Sequence, residues 1–183
     1  PRRHPFLGER NNKPQITNNK LKILSVGRIA PVKNYEILIN AAKILKDKGV
    51  NFSVTIIGEA PLKKDKNYEL RITNKIGELG LKENFNFVGK INHKDLPSQY
   101  QSHDIFIHLS KTGSLDKTIL EAMACGIRVL SSNDAARGFL PADLIFDENN
   151  AKELAGKIER ITKSTPDGLL RQYVIENHNL GKL

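Results

Sequence analysis

The chain has 183 residues, of which 39% are hydrophobic and 27% are charged, a composition typical of a globular domain with its own core. It contains a single cysteine, Cys125, which excludes an internal disulfide framework. No apolar run approaches the ~18 residues that a membrane span requires, and the amino-terminal segment lacks the apolar core of a signal peptide. These features predict a cytoplasmic location.

The chain is strongly basic, with 29 lysines and arginines against 20 acidic residues and a formal net charge of +9. Such an excess favours anionic partners, which include nucleic acids, phosphorylated ligands and anionic membrane surfaces. Aromatic residues make up only 6% of the chain, tryptophan is absent, and no basic run is interleaved with rings. Single-stranded nucleic-acid binders normally need such rings. We therefore expect no nucleic-acid partner, whereas peripheral contact with the inner face of a membrane stays open.

Residues 1–20 are predicted to be a linker or tail, because this stretch is polar and has no hydrophobic period. Residues 21–183 are predicted to form one domain in which short apolar runs alternate with amphipathic helices. The strands are predicted at 22–27, 52–57, 85–88, 105–109 and 127–130, with a last one at 144–146. The helices are predicted at 34–48, 68–79, 94–102, 115–125, 151–162 and 169–177.

This alternation predicts an α/β fold with a Rossmann-like parallel sheet and helices on both faces. Right-handed crossovers place the carboxyl ends of all the strands on one edge, and open sheets of this kind bind their ligands there. The residues that directly follow the strands are therefore the candidates for a binding site.

The loop after the first strand carries a basic pair, Arg28 and Lys33, behind the turn residue Gly27. Two cations that face a cleft suit a diphosphate, which an arginine can bind through two hydrogen bonds. Two solvated surface charges are the alternative interpretation. The loop is neither a Walker loop nor a dinucleotide fingerprint, because GxxxxGK[ST] and GxGxxG are both missing.

The crossover after the fourth strand is small and polar, and it leads into the helix that contains Glu121. The amides at a helix amino terminus form an anion site, so this turn is a second candidate for phosphate contact. A carboxylate inside an otherwise apolar helix is costly unless it has a partner. For Glu121 the candidate partners are the hydroxyls of a ribose or a nearby lysine or arginine. The alternative interpretation is a structural buried pair or a helix edge that faces water.

Metal chemistry has no support in the sequence. His93, His103 and His108 do not have the spacing of metal ligands, and no DxD pair is present to hold a diphosphate-bound Mg²⁺. We therefore expect neither a metal nor a cofactor. His108 is interpreted as packing at a strand end and Cys125 as a core residue.

Several of these segments together resemble one family. They are VGR at 26–28 with Lys33, IGEAP at 57–61, FVG at 87–89, and LEAMACG at 120–126 followed by Val129. In this order and spacing they resemble the C-terminal, donor-binding half of a family 4 retaining glycosyltransferase of the GT-B fold. The resemblance covers residues 21 to about 180 and implies a Rossmann-like domain that binds a nucleotide-sugar donor.

The resemblance also assigns roles by position. It implies that Arg28 and Lys33 grip the donor diphosphate and that Glu121 holds the ribose hydroxyls, and these three are the predicted catalytic residues. Val88, at a strand end, would border the base. The other positions implied to line the donor site are Gly27, Gly58, Gly113, Ser114, Leu115, Asp116, Lys117 and Leu120.

The sequence departs from the family pattern at two positions. Gly113 stands where the family often has a glutamate that contacts the donor sugar, and Ala60 stands where it often has a glycine. We expect Asp116 or Lys117 to replace the missing sugar contact.

The implied reaction is transfer of a hexosyl-type sugar, with retention, to a hydroxyl of a glycan or lipid-linked acceptor. It would serve the synthesis of polysaccharide, lipopolysaccharide or a glycoconjugate. A GT-B enzyme needs two Rossmann-like halves, and 183 residues hold one. An N-terminal domain of the same protein is therefore an expected partner, and this chain alone is expected to be inactive. The alternative is a non-catalytic nucleotide-binding or interaction module of the same fold.

Overall fold

The computed structural model describes residues 6, 20–110, 114–163 and 168–178. The strands are β1 (Leu21–Val26), β2 (Phe52–Ile57), β3 (Phe85–Gly89), β4 (Ile105–His108) and β5 (Arg128–Ser131). The helices are α1 (Tyr35–Asp47), α2 (Lys63–Glu78), α3 (Leu96–Ser102), α4 (Lys117–Ala124), α5 (Ala151–Ile161) and α6 (Leu169–Asn177). Within the described ranges, no helix has both the length and the apolar character needed to cross a membrane.

The five strands form one parallel sheet in the order β3-β2-β1-β4-β5. β1 pairs with β2 along its whole length, from Leu21 opposite Phe52 to Val26 opposite Ile57, and it pairs with β4 on its other side. The carboxyl ends of β1 and β4 therefore flank the switch point, where open α/β sheets form their binding crevice. The predicted Rossmann-like fold is confirmed.

Helices cover both faces of the sheet. Side chains alternate across a strand, so neighbouring residues of β1 enter different cores. Ile23 packs in a cluster with residues of α1, α2 and α5, whereas Leu24 packs in a cluster with residues of α3, α4 and α6. Burial on both faces explains why the strands appear in the sequence as nearly continuous apolar runs.

Three helices begin later or earlier than predicted. α2 begins at Lys63 rather than at residue 68. The prediction missed its first turn because no capping side chain marks the start of this helix in the sequence. α3 begins at Leu96 rather than at residue 94, after a 3₁₀ turn. α4 begins at Lys117 rather than at residue 115, because the side chain of Asp116 caps the helix there.

The prediction of a strand at 144–146 is wrong. Ala142–Leu144 forms a 3₁₀ turn, and Ile145 makes only an isolated parallel bridge with Ser131. The apolar triplet serves burial rather than pairing, because Ile145 and Phe146 are 5% and 1% exposed.

Backbone hydrogen bonds tie together the carboxyl ends of three neighbouring strands. Gly27 N donates to Ile57 O at 2.9 Å, and Gly58 N donates to Gly89 O at 2.9 Å. At Gly58 there is no room for a side chain, because an ideal Cβ would lie 1.9 Å from the carbonyl oxygen of Gly27. Its φ of +149° also favours glycine. This close approach sets the point from which the loop after β1 departs.

Of residues 1–19, Phe6 is the one that the structure describes. Phe6 is 1% exposed and belongs to the same cluster as Leu24. Its ring centroid lies 5.2 Å from that of His93 and 6.2 Å from that of Tyr100. The predicted division into a tail at 1–20 and a domain at 21–183 stays a prediction.

Candidate functional site

The loop after β1 carries a lysine to the switch point. A 3₁₀ turn at Pro31–Lys33 ends in Asn34, whose φ of +42° lets the chain turn into α1. The side-chain amide of Asn34 donates to the carbonyl oxygen of Glu148 at 2.9 Å, which anchors the loop. Lys33 places its Nζ 2.7 Å from Oδ2 of Asp116. This contact joins the end of β1 to the start of α4 across the switch point.

Asp116 lies at the centre of these contacts. Its Oδ1 accepts hydrogen bonds from the backbone N–H of Thr118 at 3.1 Å and from the Thr118 hydroxyl at 2.9 Å. Its Oδ2 lies 2.7 Å from Lys33 Nζ and 3.1 Å from His108 Nε2. A carboxylate has about four acceptor positions, so the Asp116 carboxylate is fully engaged.

His108 is the last residue of β4, and its side chain is 1% exposed. Its Nε2 faces Asp116, and its Nδ1 lies 3.5 Å from Oγ of Ser131. A carboxylate can only accept, so the proton of the ring is assigned to Nε2. His108 is buried at the strand end as predicted, and it is in addition a hydrogen-bond donor within the candidate site.

The pKa values of Asp116 and His108 are both shifted downwards. Burial alone would raise the pKa of Asp116, but the hydrogen bonds from His108 and Lys33, together with their charges, outweigh burial and hold the pKa far below its usual range. Burial lowers the pKa of His108, although the hydrogen bond to Asp116 opposes this shift. At neutral pH the site therefore contains an ionised carboxylate beside a neutral imidazole.

Glu121 lies further along α4, and its side chain is 4% exposed. Its Oε1 is 2.9 Å from His93 Nε2, and its Oε2 accepts a hydrogen bond from the Tyr100 hydroxyl at 3.1 Å. Burial and the Glu121 carboxylate raise the pKa of the Tyr100 phenol well above its usual value, so the phenol remains a donor. Of the partners considered for Glu121, the structure contains one core partner, Tyr100, together with His93, whose side chain is 55% exposed.

Asn133 holds the loop that precedes α4. It lies just after β5 and is fully buried. Its Nδ2 donates to the carbonyl oxygens of Ser110 at 3.3 Å and Ser114 at 3.2 Å, and its backbone N–H donates to Ser131 Oγ at 3.0 Å. Residues 111–113, which include the predicted site residue Gly113, lie outside the described residues.

Most of the predicted site residues lie at the carboxyl edge of the sheet or at the start of α4. Arg28 is exposed on the same loop as Lys33, and it makes no hydrogen bond or ion pair with any residue that the structure describes. Joint action of Arg28, Lys33 and Glu121 on one ligand stays a prediction. Gly27, Gly58 and Val88 lie where β1, β2 and β3 end. Ser114 and Leu115 precede Asp116, which caps α4. Lys117 is the first residue of α4, and Leu120 is a buried residue of the same helix.

Sequence reasoning missed His93, Tyr100 and Asn133, and it missed the donor role of His108. Asn133 and His108 had a usable signal, since both stand at the ends of strands whose carboxyl ends share one edge. His93 and Tyr100 had no such signal in the sequence. His93 lies in the 3₁₀ turn before α3 and Tyr100 lies on α3, and the packing of this segment beside α4 brings both side chains to Glu121. Within 20–110, 114–163 and 168–178, no group of His, Cys, Asp and Glu side chains could hold a metal ion, and the expected absence of a metal stays a prediction.

A family model described as "Glycosyl transferases group 1" matches residues 8–179 of the chain. The chain belongs to this family. Among its relatives, the putative colanic acid biosynthesis glycosyltransferase WcaL of Escherichia coli K12 is 27% identical over 159 residues, which cover 81% of this chain and 38% of WcaL. Mannosylfructose-phosphate synthase of Agrobacterium fabrum is 27% identical over 106 residues, which cover 57% of this chain and 23% of the synthase.

Solved structures confirm the fold of this group 1 chain. HepE from Anabaena, in complex with UDP and glucose, superposes with a TM-score of 0.80 at 21% identity, over 90% of this chain and 46% of HepE. The C-terminal domain of the group 1 protein LpcC from Francisella tularensis superposes with a TM-score of 0.75 at 22% identity, over 86% of this chain and 85% of that domain. The chain thus has the fold of the C-terminal half of a GT-B glycosyltransferase, and it spans less than half the length of WcaL and HepE.

Proposed function

We propose that this chain is the donor-binding domain of a glycosyltransferase that moves a sugar from a nucleotide diphosphate to an acceptor hydroxyl. The observation that carries the proposal is the meeting of Lys33 with the amino terminus of α4 at the switch point of the sheet. A cation and a helix-terminal amide converge there on an anion, which in this structure is the Asp116 carboxylate. Lys33 Nζ has N–H groups beyond the one that Asp116 accepts, which suit the diphosphate of a nucleotide sugar, and the helix dipole at the start of α4 favours the same anion.

Glu121 supports a ribose contact in the same ligand. An ionised carboxylate can accept hydrogen bonds from both hydroxyls of a ribose, and the partners His93 and Tyr100 hold this one in a defined orientation. Val88, 42% exposed at the end of β3, offers an apolar surface to the base. HepE, which shares the fold, has been solved with UDP and glucose, so UDP is the first nucleotide to test.

The proposed reaction breaks the bond between the anomeric carbon and the diphosphate oxygen. It forms a bond from that carbon to the acceptor oxygen, whose proton passes to the departing diphosphate, and the configuration is retained. Negative charge grows on the departing diphosphate, so Arg28, Lys33 and the helix dipole of α4 would stabilise the transition state more than the ground state. In this proposal the diphosphate is neutralised by the protein, without a metal or a cofactor.

The acceptor and the cellular setting belong to the same proposal. WcaL and the AmsK glycosyltransferase of Erwinia amylovora are named for colanic acid and amylovoran biosynthesis, which supports a glycan or lipid-linked acceptor in polysaccharide synthesis. An N-terminal domain would hold that acceptor, so the chain alone would transfer nothing. The net charge of +9 supports a cytoplasmic enzyme that touches the inner face of a membrane.

Titration calorimetry of the 183-residue chain with UDP, GDP and ADP tests donor binding. We expect one nucleotide to bind, and Lys33→Ala to weaken it by about tenfold or more, because a charge-assisted hydrogen bond is lost. Lys48→Ala is the matched control: Lys48 also pairs with a carboxylate, that of Glu159 at 2.6 Å, but it follows α1 at the opposite edge of the sheet. No binding of any nucleotide, or equal losses in the two variants, would contradict the proposal.

A non-catalytic nucleotide-binding module is the second candidate function. It is favoured by Gly113, which stands where the family often has a glutamate that contacts the donor sugar. Transfer and hydrolysis assays of the intact protein with a panel of nucleotide sugars separate the two candidates. An enzyme should lose turnover by ~10²-fold in Arg28→Ala, as expected for one preorganised charge contact. A protein that binds a nucleotide diphosphate but neither transfers nor hydrolyses any sugar would be the module.

A further inference from the structure

The four hydrogen bonds on Asp116 bear on what this residue does. Both of its oxygens are engaged by protein donors, so the carboxylate has no acceptor position left for a sugar hydroxyl. Thr118 holds Oδ1 of Asp116 at the start of α4. The other oxygen, Oδ2, contacts both the flexible side chain of Lys33 and the rigid ring of His108.

His108 is held at both ring nitrogens. Nε2 donates to Asp116, and Nδ1 lies 3.5 Å from Ser131 Oγ. That hydroxyl accepts from the backbone N–H of Asn133 at 3.0 Å, so its own proton is available to the ring. A chain of contacts therefore runs from the end of β5 through His108 and Asp116 to Lys33, and its members between Lys33 and Asn133 are buried or partly buried.

We propose that His108 and Asp116 are positioning residues that hold the Lys33 ammonium in place to meet the donor diphosphate. A free lysine side chain has many rotamers, and the conformational entropy lost when a ligand immobilises it weakens binding of that ligand. Asp116 fixes Lys33 before the donor arrives, and His108 fixes Asp116. The inference rests on the proposed function, and it replaces the expectation that Asp116 contacts the donor sugar.

A double-mutant cycle on UDP affinity tests the inference. We expect His108→Leu, which removes the donor, to weaken UDP binding by about tenfold. His108→Gln keeps an N–H that can reach Asp116, so its affinity should stay within about threefold of the wild type. In a Lys33→Ala background, His108→Leu should have no further effect, since its action passes through Lys33. Equal losses in both backgrounds would indicate general damage to the fold and would overturn the inference.

Proton NMR of the His108 ring gives a readout that needs no nucleotide, with His108→Gln used to assign the resonance. Lys33 lowers and Asp116 raises the pKa of His108. Lys33→Ala should therefore raise this pKa, and Asp116→Asn, which keeps a good helix cap, should lower it. A resonance that responds to neither variant would overturn the inference. If the wild-type chain binds no nucleotide while the resonance responds, the proposed function fails and the control of Lys33 by His108 and Asp116 stands.

Discussion

Substitution of Gly58 by alanine should disturb the candidate site through the backbone alone. An ideal Cβ at Gly58 lies 1.9 Å from the carbonyl oxygen of Gly27, whereas real Cβ contacts essentially never fall below 3.0 Å. The ends of β1 and β2 must therefore separate by about 1.1 Å or more. Gly27 begins the loop that carries Lys33, so this displacement passes directly to the proposed diphosphate site.

Two costs add at Gly58. Overpacking of a close contact costs about 1–3 kcal/mol, and a positive φ on alanine adds about 1–2 kcal/mol. We therefore expect Gly58→Ala to lower the free energy of unfolding by about 2–5 kcal/mol, a large part of the ~5–15 kcal/mol typical of a domain. A shift of about 1 Å at a reacting group can also cost ~10² in rate, so turnover of the intact protein should fall more than stability alone explains.

Gly89→Ala is the matched control, because Gly89 has a φ of +79° but open space where the Cβ would lie. It should show the backbone cost alone, about 1–2 kcal/mol. Thermal unfolding followed by circular dichroism should place the Gly58→Ala midpoint about 2–12 °C below that of Gly89→Ala, because the additional overpacking cost of about 1–3 kcal/mol corresponds to ~2–4 °C per kcal/mol in a domain of this size. If both variants melt at the same temperature and bind UDP equally, the close contact at Gly58 has no energetic role and the reasoning is refuted.

Three further predictions concern Tyr100 and Cys125, which lie close to Glu121. Tyr100→Phe should lower the free energy of unfolding by about 1.5–3 kcal/mol in urea titrations, because it removes a buried hydrogen bond to the Glu121 carboxylate; an unchanged midpoint would speak against that bond. Burial, reinforced by Glu121, raises the pKa of the Cys125 thiol to about 12. A disulfide reagent at pH 8 should therefore label native Cys125 roughly a thousandfold more slowly than the unfolded chain. The unfolded thiol ionises first as the pH rises from about 9 towards 12, so stability should decrease over that window.

The fold was predictable because its elements follow strong local rules. β2 is a β-branched run that ends at Gly58, and the apolar positions of α1 recur at helical spacing. The errors lie where local patterns are weak. The first turn of α2 has no side-chain cap, and the apolar triplet 144–146 could equally be a strand or a buried turn until the surrounding sheet is known.

For the candidate site, the sequence yields a list of candidate residues but not their contacts. Lys33 and Glu121 stand in segments whose chemistry is visible in the sequence. Their actual partners are not visible, because the contact between Lys33 and Asp116 spans 83 positions and that between His93 and Glu121 spans 28. Such pairs depend on which strands become neighbours, and sequence spacing carries no information about a side chain's final partner.

The position of Phe6 matters for anyone who wishes to study this domain alone. The polar stretch before residue 20 invites truncation there, yet such a shortened protein would lose a ring that is 1% exposed and lies against His93 and Tyr100, the two residues that hold Glu121. The gap would open water access to the Glu121 carboxylate. Weak nucleotide binding by a protein trimmed at residue 20 would therefore report the missing ring rather than the natural affinity of the site.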